Sequence, residues 1–245
     1  MTLSCDVCAL SDICLPAGLN DKELALLEKN VLPGIKLKKG EMLYAPSEAF
    51  SGLYAVKSGS FKSAVSNSDG DAQIVGFHMP GELIGFDGYD ATHTSSVVAL
   101  ENSMVCKIPG SHLDFLCSNI KSVSKHIHSM IANDVRAHNS VLMLIAQKSA
   151  EDRVICFLKN ISDRNRKRGF SGVDFTLSMP RGDIANFLGM APETISRLLA
   201  QLQEEKIVRF DRRNVHIMDY DELTRRSCGH EDPSAVPGLR KAPRP

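Results

Sequence analysis

Hydrophobic and polar residues change their spacing several times along the chain. Between residues 35 and 108, short segments of alternating or β-branched residues follow one another, with Gly- and Asp-rich turns between them. The segments are Ile35 to Leu37, Met42 to Tyr44, Leu53 to Val56, Phe61 to Val65, Gln73 to His78, Ser95 to Leu100 and Met104 to Ile108. Such a series predicts a small antiparallel β-barrel or roll.

Helical spacing borders this region on both sides. An amphipathic stretch from Asn20 to Lys29 begins at an asparagine, which is a good N-cap. Beyond the β-region, a short helix is expected over Ser111 to Leu116. A long one is expected over Val123 to Ile145, where the sequence has neither glycine nor proline.

The long helix carries a narrow apolar stripe. Its members are Ile127, Ile131, Val135, Leu142 and Ile145, and Asp134 and His138 fall close to it. Packing of the helix on its own β-roll would explain such a stripe. We favour the seam of a two-helix homodimer, because the stripe is narrow and the helix is longer than the β-roll needs. The polar pair would weaken this seam and leave it open to control.

The last third of the chain has the pattern of a winged helix-turn-helix. A helix from Ala150 to Arg164 and an extended Phe175 to Leu177 precede two helices, Arg181 to Leu188 and Pro192 to Glu204. Gly189-Met190-Ala191 separates the two helices, and proline opens the second. The segments Ile207 to Phe210 and Val215 to Met218 are then expected to form a hairpin.

The second helix of this pair has the features of a DNA-reading helix. Its apolar residues are spaced three, four and seven apart, which turns the polar residues of the first two turns outward. Arg197 can pair with guanine, Glu193 with a cytosine amino group, and Ser196 or Thr194 with a thymine methyl or a phosphate. Arg181, at the start of the first helix, is expected to bind backbone phosphate.

These patterns together predict an α+β chain in five parts. They are a cysteine-bearing leader (1–18), an antiparallel β-roll sensor domain (19–118), a dimerisation helix (119–147), a winged helix-turn-helix DNA-binding domain (148–227) and a tail (228–245). The tail holds four of the eleven prolines and no periodicity, so we expect it to be disordered.

The charge is divided between the two halves of the chain. The 245 residues carry 29 basic and 29 acidic side chains, but residues 1–149 have a net charge of −3 and residues 150–245 of +3. The first arginine is Arg136, and thirteen of the fourteen follow residue 150. Because arginine suits phosphates and guanine edges, double-stranded DNA is expected to bind the C-terminal part.

The same composition argues against membranes and secretion. Apolar residues make up 43% of the chain, and no stretch approaches the roughly 18 apolar residues of a membrane span. The N-terminus lacks the basic start and apolar run of a signal peptide. We therefore expect a cytoplasmic protein without a membrane partner.

Three cysteines, Cys5, Cys8 and Cys14, lie within the first fourteen residues. In a cytoplasmic chain a disulfide framework is disfavoured, so the cluster predicts metal ligands. A fourth ligand must come from elsewhere, and the candidates are Cys106, Cys117, Cys156 and Cys228. Spacing alone does not separate a four-cysteine zinc site from an iron–sulfur cluster.

The sequence resembles the cyclic-AMP receptor superfamily of transcription factors, and within it the fumarate and nitrate reduction regulators. The resemblance runs collinearly from Cys5 to about Thr224. It rests on the leader cysteines with Cys14-Leu15-Pro16, on Gln73 to His78, Ser103 to Pro109, Arg168 to Ser171, Arg181 to Ile184, and Glu193 to Arg197.

This resemblance implies an oxygen-responsive regulator that activates or represses genes of anaerobic metabolism. In the family, the matching cysteines, here Cys5, Cys8, Cys14 and Cys106, hold one [4Fe-4S] cluster per monomer, and its loss to oxygen separates the dimer. The matching readers of a TTGAT-N4-ATCAA palindrome are Glu193, Ser196 and Arg197. Segment 74–87 resembles the patches that contact RNA polymerase.

Two residues depart from the pattern of the family. His138 stands where relatives usually carry an acidic residue in the dimer helix, which bears on dimer strength. Ala9 stands where some relatives carry serine, so a hydrogen bond near the cluster is expected to be missing.

Two other functions are considered. A cyclic-nucleotide-responsive relative is suggested by Gly81-Glu82-Leu83, but that site needs an arginine and none precedes Arg136. A transcription factor of the same superfamily that depends on redox state or on zinc is a further alternative. An enzyme using His78, His93 or the cysteines is disfavoured, because no phosphate loop or nucleophile motif is present.

Overall fold

The structure is a computed structural model that describes Cys5 and residues 7–227. Its helices are α1 (Asp21–Asn30), α2 (Gly110–Asn119), α3 (Lys121–Gln147), α4 (Ala150–Lys167), α5 (Arg181–Phe187), α6 (Pro192–Glu204) and α7 (Tyr220–Arg226). The tail that was predicted to be disordered, residues 228–245, lies outside the described residues, and so does Cys228.

The strands form three antiparallel sheets. They are β1 (Leu32–Leu37), β2 (Met42–Tyr44), β3 (Gly52–Ser58), β4 (Phe61–Ser66), β5 (Ala72–His78), β6 (Leu83–Ile84), β7 (Ser96–Ala99), β8 (Ser103–Pro109), β9 (Asp174–Thr176), β10 (Val208–Asp211) and β11 (Asn214–Ile217). The sheet orders are β1-β8-β3-β6, β2-β7-β4-β5 and β10-β11-β9.

The first two sheets make the β-roll. Alternation puts one face of each strand inward, and the inward side chains of both sheets share one core, which includes Tyr54, Phe61, Val97 and Val105. The predicted β-roll is therefore confirmed. The two-residue strand β6 is too short to show alternation and was not predicted.

Helix α1 begins at the predicted residue. The Asn20 side chain accepts hydrogen bonds from the backbone N–H groups of Lys22 and Glu23, and the Glu23 carboxylate accepts from the Asn20 N–H. This reciprocal capping box satisfies donors that a helix start leaves open. Leu27 is fully buried and packs α1 against α2 and the first sheet.

Helix α3 leaves the β-roll as a single element of 27 residues. Ile127, which was expected in the dimer seam, is 6% exposed and belongs to the core of its own chain, where it joins Val123 and Ile120. The exposed part of the stripe therefore begins at Ile131, one turn later.

The C-terminal region is a winged helix-turn-helix, as predicted. Helices α5 and α6 pack on α4, and the hairpin β10-β11 pairs with β9. Helix α6 has the predicted bounds, whereas α4 continues to Lys167, three residues beyond the predicted end. Helix α7 was not predicted, because a single turn or two of a polar sequence has little periodicity.

The C-terminal domain is docked on the β4-β5 hairpin of the β-roll. Phe77 of β5 lies against Phe187 and Phe157, with ring centroids 5.1 and 6.1 Å apart. The Asn186 side chain accepts from the Ile74 N–H at 2.6 Å and donates to the Ala72 carbonyl at 2.9 Å. The two domains thus share one continuous hydrophobic cluster.

An ion pair adds to this docking. The Glu82 carboxylate accepts from the Arg164 guanidinium at 2.6 and 3.1 Å and also from Arg168. Arg168 donates further to the Pro80 carbonyl at 2.6 Å. Burial by itself would raise the pKa of Glu82, but the two guanidinium groups lower it to about 2.

This docking changes the expectation for segment 74–87. Ile74, Phe77 and Met79 are buried in the cluster shared with the C-terminal domain. In this arrangement they are not accessible to RNA polymerase. Asp87 and its exposed neighbour Tyr89 remain at the surface at the far end of the segment.

Among the described residues, 5 and 7–227, no helix is both long and apolar enough to cross a lipid bilayer.

Replacing Glu82 by glutamine should destabilise the protein at neutral pH by about 2 kcal/mol, because two arginines lose their charged partner. The pKa of Glu82 is lowered on folding, so its contribution is complete above about pH 4.5 and is lost as the pH falls toward 2. Denaturant unfolding at several pH values should show the difference from wild type shrinking over that window. Glu204→Gln, at an exposed carboxylate of α6, is the control, and equal stabilities of Glu82→Gln and wild type at pH 7 would contradict the docking role.

Candidate functional site

The leader is a chain of tight turns that lies on the β-roll. Within it the Ser11 N–H donates to the Cys8 carbonyl at 3.0 Å, and the Cys14 N–H to the Leu10 carbonyl at 2.9 Å. Leu10 and Leu15 are buried, at 8% and 3% exposure. These two side chains anchor an otherwise irregular segment, so the cysteines between and before them are held in place.

The leader cysteines and Cys106 meet around one pocket. Cys5, Cys8 and Cys14 come from the leader, and Cys106 comes from β8, where it stands opposite Ala55 of β3. We call this cavity the thiol pocket. Its remaining lining is mostly apolar and includes Leu10, Leu15, Leu27, Val31, Ile108 and one cation, Lys57.

The other cysteines lie elsewhere. Cys117 is on α2, and Cys156 is on α4, where its thiol donates to the Ser227 carbonyl at 3.6 Å. Neither lines the thiol pocket. The fold therefore brings together the three leader cysteines with Cys106 rather than with Cys117 or Cys156.

Burial governs the acidity of the pocket thiols. It raises the pKa of Cys14 to about 12, and neighbouring thiols add to the rise. It also raises the pKa of Cys5 to about 11, with contributions from Cys106 and Glu28. The pKa of Cys106 is raised by burial as well, although Lys57 opposes this. Cys5 and Cys14 without metal are therefore protonated at neutral pH, so binding a metal group through them must release protons.

The donor set fits the group that the sequence resemblance implies. Four thiols in an apolar surrounding are the ligand set of a [4Fe-4S] cluster, and four thiolates also suit zinc. In the described part of the chain, no three His, Cys, Asp or Glu side chains already converge as ligands of a single metal ion. The thiols share a cavity rather than a preformed coordination sphere.

Two further residues touch the thiol pocket and were missed from the sequence. The Cys5 N–H donates to Glu28 Oε1 of α1 at 2.6 Å. Lys57, at the end of β3, places its positive charge beside Cys5 and Cys106. Glu28 is 23 residues from Cys5 along the chain, and Lys57 is on a strand of the β-roll, so no local motif signals them.

The region that suggested cyclic-nucleotide binding is occupied by internal contacts. Glu82 is paired with Arg164 and Arg168. Asp87 accepts hydrogen bonds from Tyr44 at 2.9 Å and from the Ser95 hydroxyl at 2.8 Å, and the His93 ring lies 3.2 Å from it. The polar groups of this region are thus engaged with one another.

The DNA-reading helix presents the expected polar face. Ile195, Leu198, Leu199 and Leu202 are buried in the C-terminal domain. The predicted contact residues lie on the other side: Arg181, Glu193 and Arg197 are exposed, and Thr194 and Ser196 are half-buried. The Ser196 hydroxyl donates to the Pro192 carbonyl at 3.1 Å, which leaves its lone pairs facing outward for a donor.

The outer face of α3 exposes apolar residues. Val135 and Leu142 are 54% and 66% exposed, and Ile131 lies on the same stripe at 38%. His138 is on this face too and pairs with Asp134, with its Nδ1 2.8 Å from the Asp134 carbonyl oxygen. Ile145, at the end of the stripe, is half-buried against the C-terminal domain.

Comparisons with known proteins agree with this architecture. A family model described as a Crp-like helix-turn-helix domain matches residues 152–226, and one for a cyclic nucleotide-binding domain matches residues 35–119. Among solved structures, FixK2 from Bradyrhizobium japonicum superposes with a TM-score of 0.74 at 27% identity, covering 80% of this chain and 98% of that one.

Named relatives match nearly the whole chain. The transcriptional activator protein Anr of Pseudomonas protegens is 38% identical over 220 residues, which are 89% of this chain and 90% of that protein. The fumarate and nitrate reduction regulatory protein of Escherichia coli is 36% identical over 229 residues, 93% of this chain and 91% of that protein. At this identity and coverage, the chain belongs to the fumarate and nitrate reduction regulators, within the Crp-like family of transcription regulators.

Proposed function

We propose that this protein is an oxygen-responsive transcription regulator whose sensor is the thiol pocket. The observation that carries the proposal is the meeting of Cys5, Cys8, Cys14 and Cys106 around one cavity, in a chain that also presents a DNA-reading helix. A [4Fe-4S] cluster bound there, one per monomer, supplies an oxygen-labile link between the leader and β8.

The positions of the four cysteines explain how a bound cluster would affect the leader. Three ligands are on an irregular leader, which is anchored by only a few apolar side chains, and the fourth is on a strand of the β-roll. A group that binds all four thiolates at once fixes the leader to β8. Release of the metal group would let Cys5 and Cys14 regain protons, because burial raises their pKa values to about 11 and about 12.

The dimer is proposed to form along the exposed stripe of α3. Ile131, Val135 and Leu142 leave apolar surface in water that a second copy would cover. Asp134 and His138 would lie at the edge of the same seam, and Ile145 near its end. Two recognition helices would then be spaced about 34 Å apart for successive major grooves.

DNA reading is assigned to the polar face of α6. Arg197 is exposed in a position to pair with guanine, with Glu193, Thr194 and Ser196 beside it and Arg181 on the phosphate backbone. The proposed target is the TTGAT-N4-ATCAA palindrome. We further propose that the bound dimer contacts RNA polymerase and activates or represses anaerobic-metabolism genes.

Zinc is the alternative occupant of the same four thiols. It would make the pocket a structural site, and oxygen would then not change the metal content. The cluster proposal predicts a different result: anaerobically purified protein should be brown, hold iron and sulfide near four per monomer, and bleach in air. A colourless zinc protein would reject the oxygen-sensing mechanism and leave the DNA-binding role intact.

Replacing Cys106 by serine should abolish anaerobic binding to the palindrome and leave little iron on the protein, because one of four ligands is lost. Iron analysis and an anaerobic gel-shift assay measure both effects. Cys117→Ser is the matched control, since Cys117 is equally half-buried but lies on α2, away from the pocket. Unchanged iron and DNA binding in Cys106→Ser would refute the ligand assignment.

Replacing Arg197 by alanine should weaken binding to the palindrome by about tenfold or more, in line with the roughly 1–3 kcal/mol of a bidentate arginine–guanine pair. Arg197→Lys keeps the charge and loses the fork, so it should recover the salt dependence but not the preference for guanine. Titrations with the palindrome and with a duplex in which the guanines are changed give the comparison. Equal losses on both duplexes would assign Arg197 to phosphate instead.

Replacing Leu142 by glutamate should convert the anaerobic dimer to a monomer, because two carboxylates would face each other in an apolar seam. Sedimentation under anaerobic conditions reports the mass. Ser129→Glu adds the same charge at an exposed position on another side of α3 and should stay dimeric. A dimer that survives Leu142→Glu would place the interface elsewhere.

A further inference from the structure

We propose that Glu28 is the positioning residue for Cys5. Its carboxylate is the acceptor that ties the first cysteine of the leader to helix α1, and so completes the thiol pocket. The proposal deepens the assigned sensor role and rests on it for the identity of the bound group.

The contact that carries the proposal is short and joins distant parts of the chain. The Cys5 N–H donates to Glu28 Oε1 at 2.6 Å across 23 residues of sequence. Hydrogen bonds from N–H groups to carboxylates are shorter and stronger than neutral ones. The bond therefore fixes the backbone of Cys5, not only its side chain.

Glu28 stands on a rigid support. Helix α1 is closed at its start by the capping box of Asn20 and Glu23, and it is fixed to the β-roll by Leu27, which is fully buried and also lines the thiol pocket. A ligand that is held by a helix is placed more precisely than one on a free loop.

The rest of the leader does not hold Cys5 as firmly. The Cys8 N–H donates to the Cys5 carbonyl at 3.3 Å, which is a long bond within the leader itself. Among the described residues of the leader, the first buried side chain is Leu10, five residues later. Without Glu28, the backbone of Cys5 would lose its hydrogen bond to α1.

The hydrogen bond, and not the negative charge, is the useful property of Glu28. The Glu28 carboxylate also places a negative charge beside a cysteine that must become a thiolate to bind a metal. A glutamine would keep the acceptor oxygen and remove the opposing charge. The neutral variant should therefore retain the positioning.

The test compares full-length Glu28→Gln and Glu28→Ala with wild type and with Lys29→Ala, a change at the neighbouring exposed residue of α1. Hydrogen–deuterium exchange on the metal-free proteins reports the Cys5 amide and its neighbours. Iron per monomer, the visible spectrum and the rate of bleaching in air are then measured after anaerobic reconstitution.

In Glu28→Ala the Cys5 amide should exchange about tenfold faster, as expected for loss of one charged hydrogen bond. Its cluster should bleach several-fold faster in air. Glu28→Gln, which keeps a weaker neutral bond, should exchange at a rate between those of Glu28→Ala and wild type, and Lys29→Ala should stay within about twofold of wild type. Unchanged exchange in Glu28→Ala, or an equal effect of Glu28→Gln, would overturn the proposal.

The two proposals fail in different ways. If wild type takes up no iron, the oxygen-sensor role is wrong, yet the exchange experiment on the metal-free protein still decides the role of Glu28. If wild type binds a cluster and all variants exchange and bleach alike, the sensor role stands and Glu28 is not the positioning residue.

Discussion

The docking of the leader on the β-roll is the constraint on which the rest depends. It brings cysteines of a turn-rich segment to a strand about ninety residues away, and it does so through a few apolar side chains. Ile13 is one of them: its Cδ1 lies so close to Gly81 that a Cβ there would be 2.7 Å away. Gly81 also has a φ of +89°, so the backbone at this turn favours glycine.

The same turn holds the C-terminal domain. Pro80 and Glu82, on either side of Gly81, are the residues that Arg168 and Arg164 bind. The leader and the C-terminal domain therefore both contact one short segment, residues 80–82. If the leader left the β-roll, Gly81 would lose its packing against Ile13.

The sequence predicted the positions of helices and strands better than it predicted which residues come into contact in the fold. Alternation and helical spacing located most strands and helices, because each pattern is local, and Pro192 together with the turn before it placed α6 at its observed bounds. Spacing leaves the cysteine that joins the leader open among four, and only the family resemblance selects Cys106, because its place beside the leader depends on the pairing of distant strands. Ile127 had the spacing of an exposed stripe, but its burial depends on how α3 leaves the β-roll.

The arginine-rich C-terminal part has two functions that composition does not separate. Arg164 and Arg168 are used in domain docking, and Arg153 donates to the carbonyls of Ile145 and Leu188, where it joins α3 to the helix-turn-helix.

Other arginines remain exposed. They include Arg181 and Arg197 of the helix-turn-helix and Arg212 and Arg213 at the turn of the wing hairpin. The charge asymmetry of the sequence thus overstates the surface available to DNA. Part of the positive charge, on Arg164 and Arg168, holds the C-terminal domain against the β-roll through Glu82.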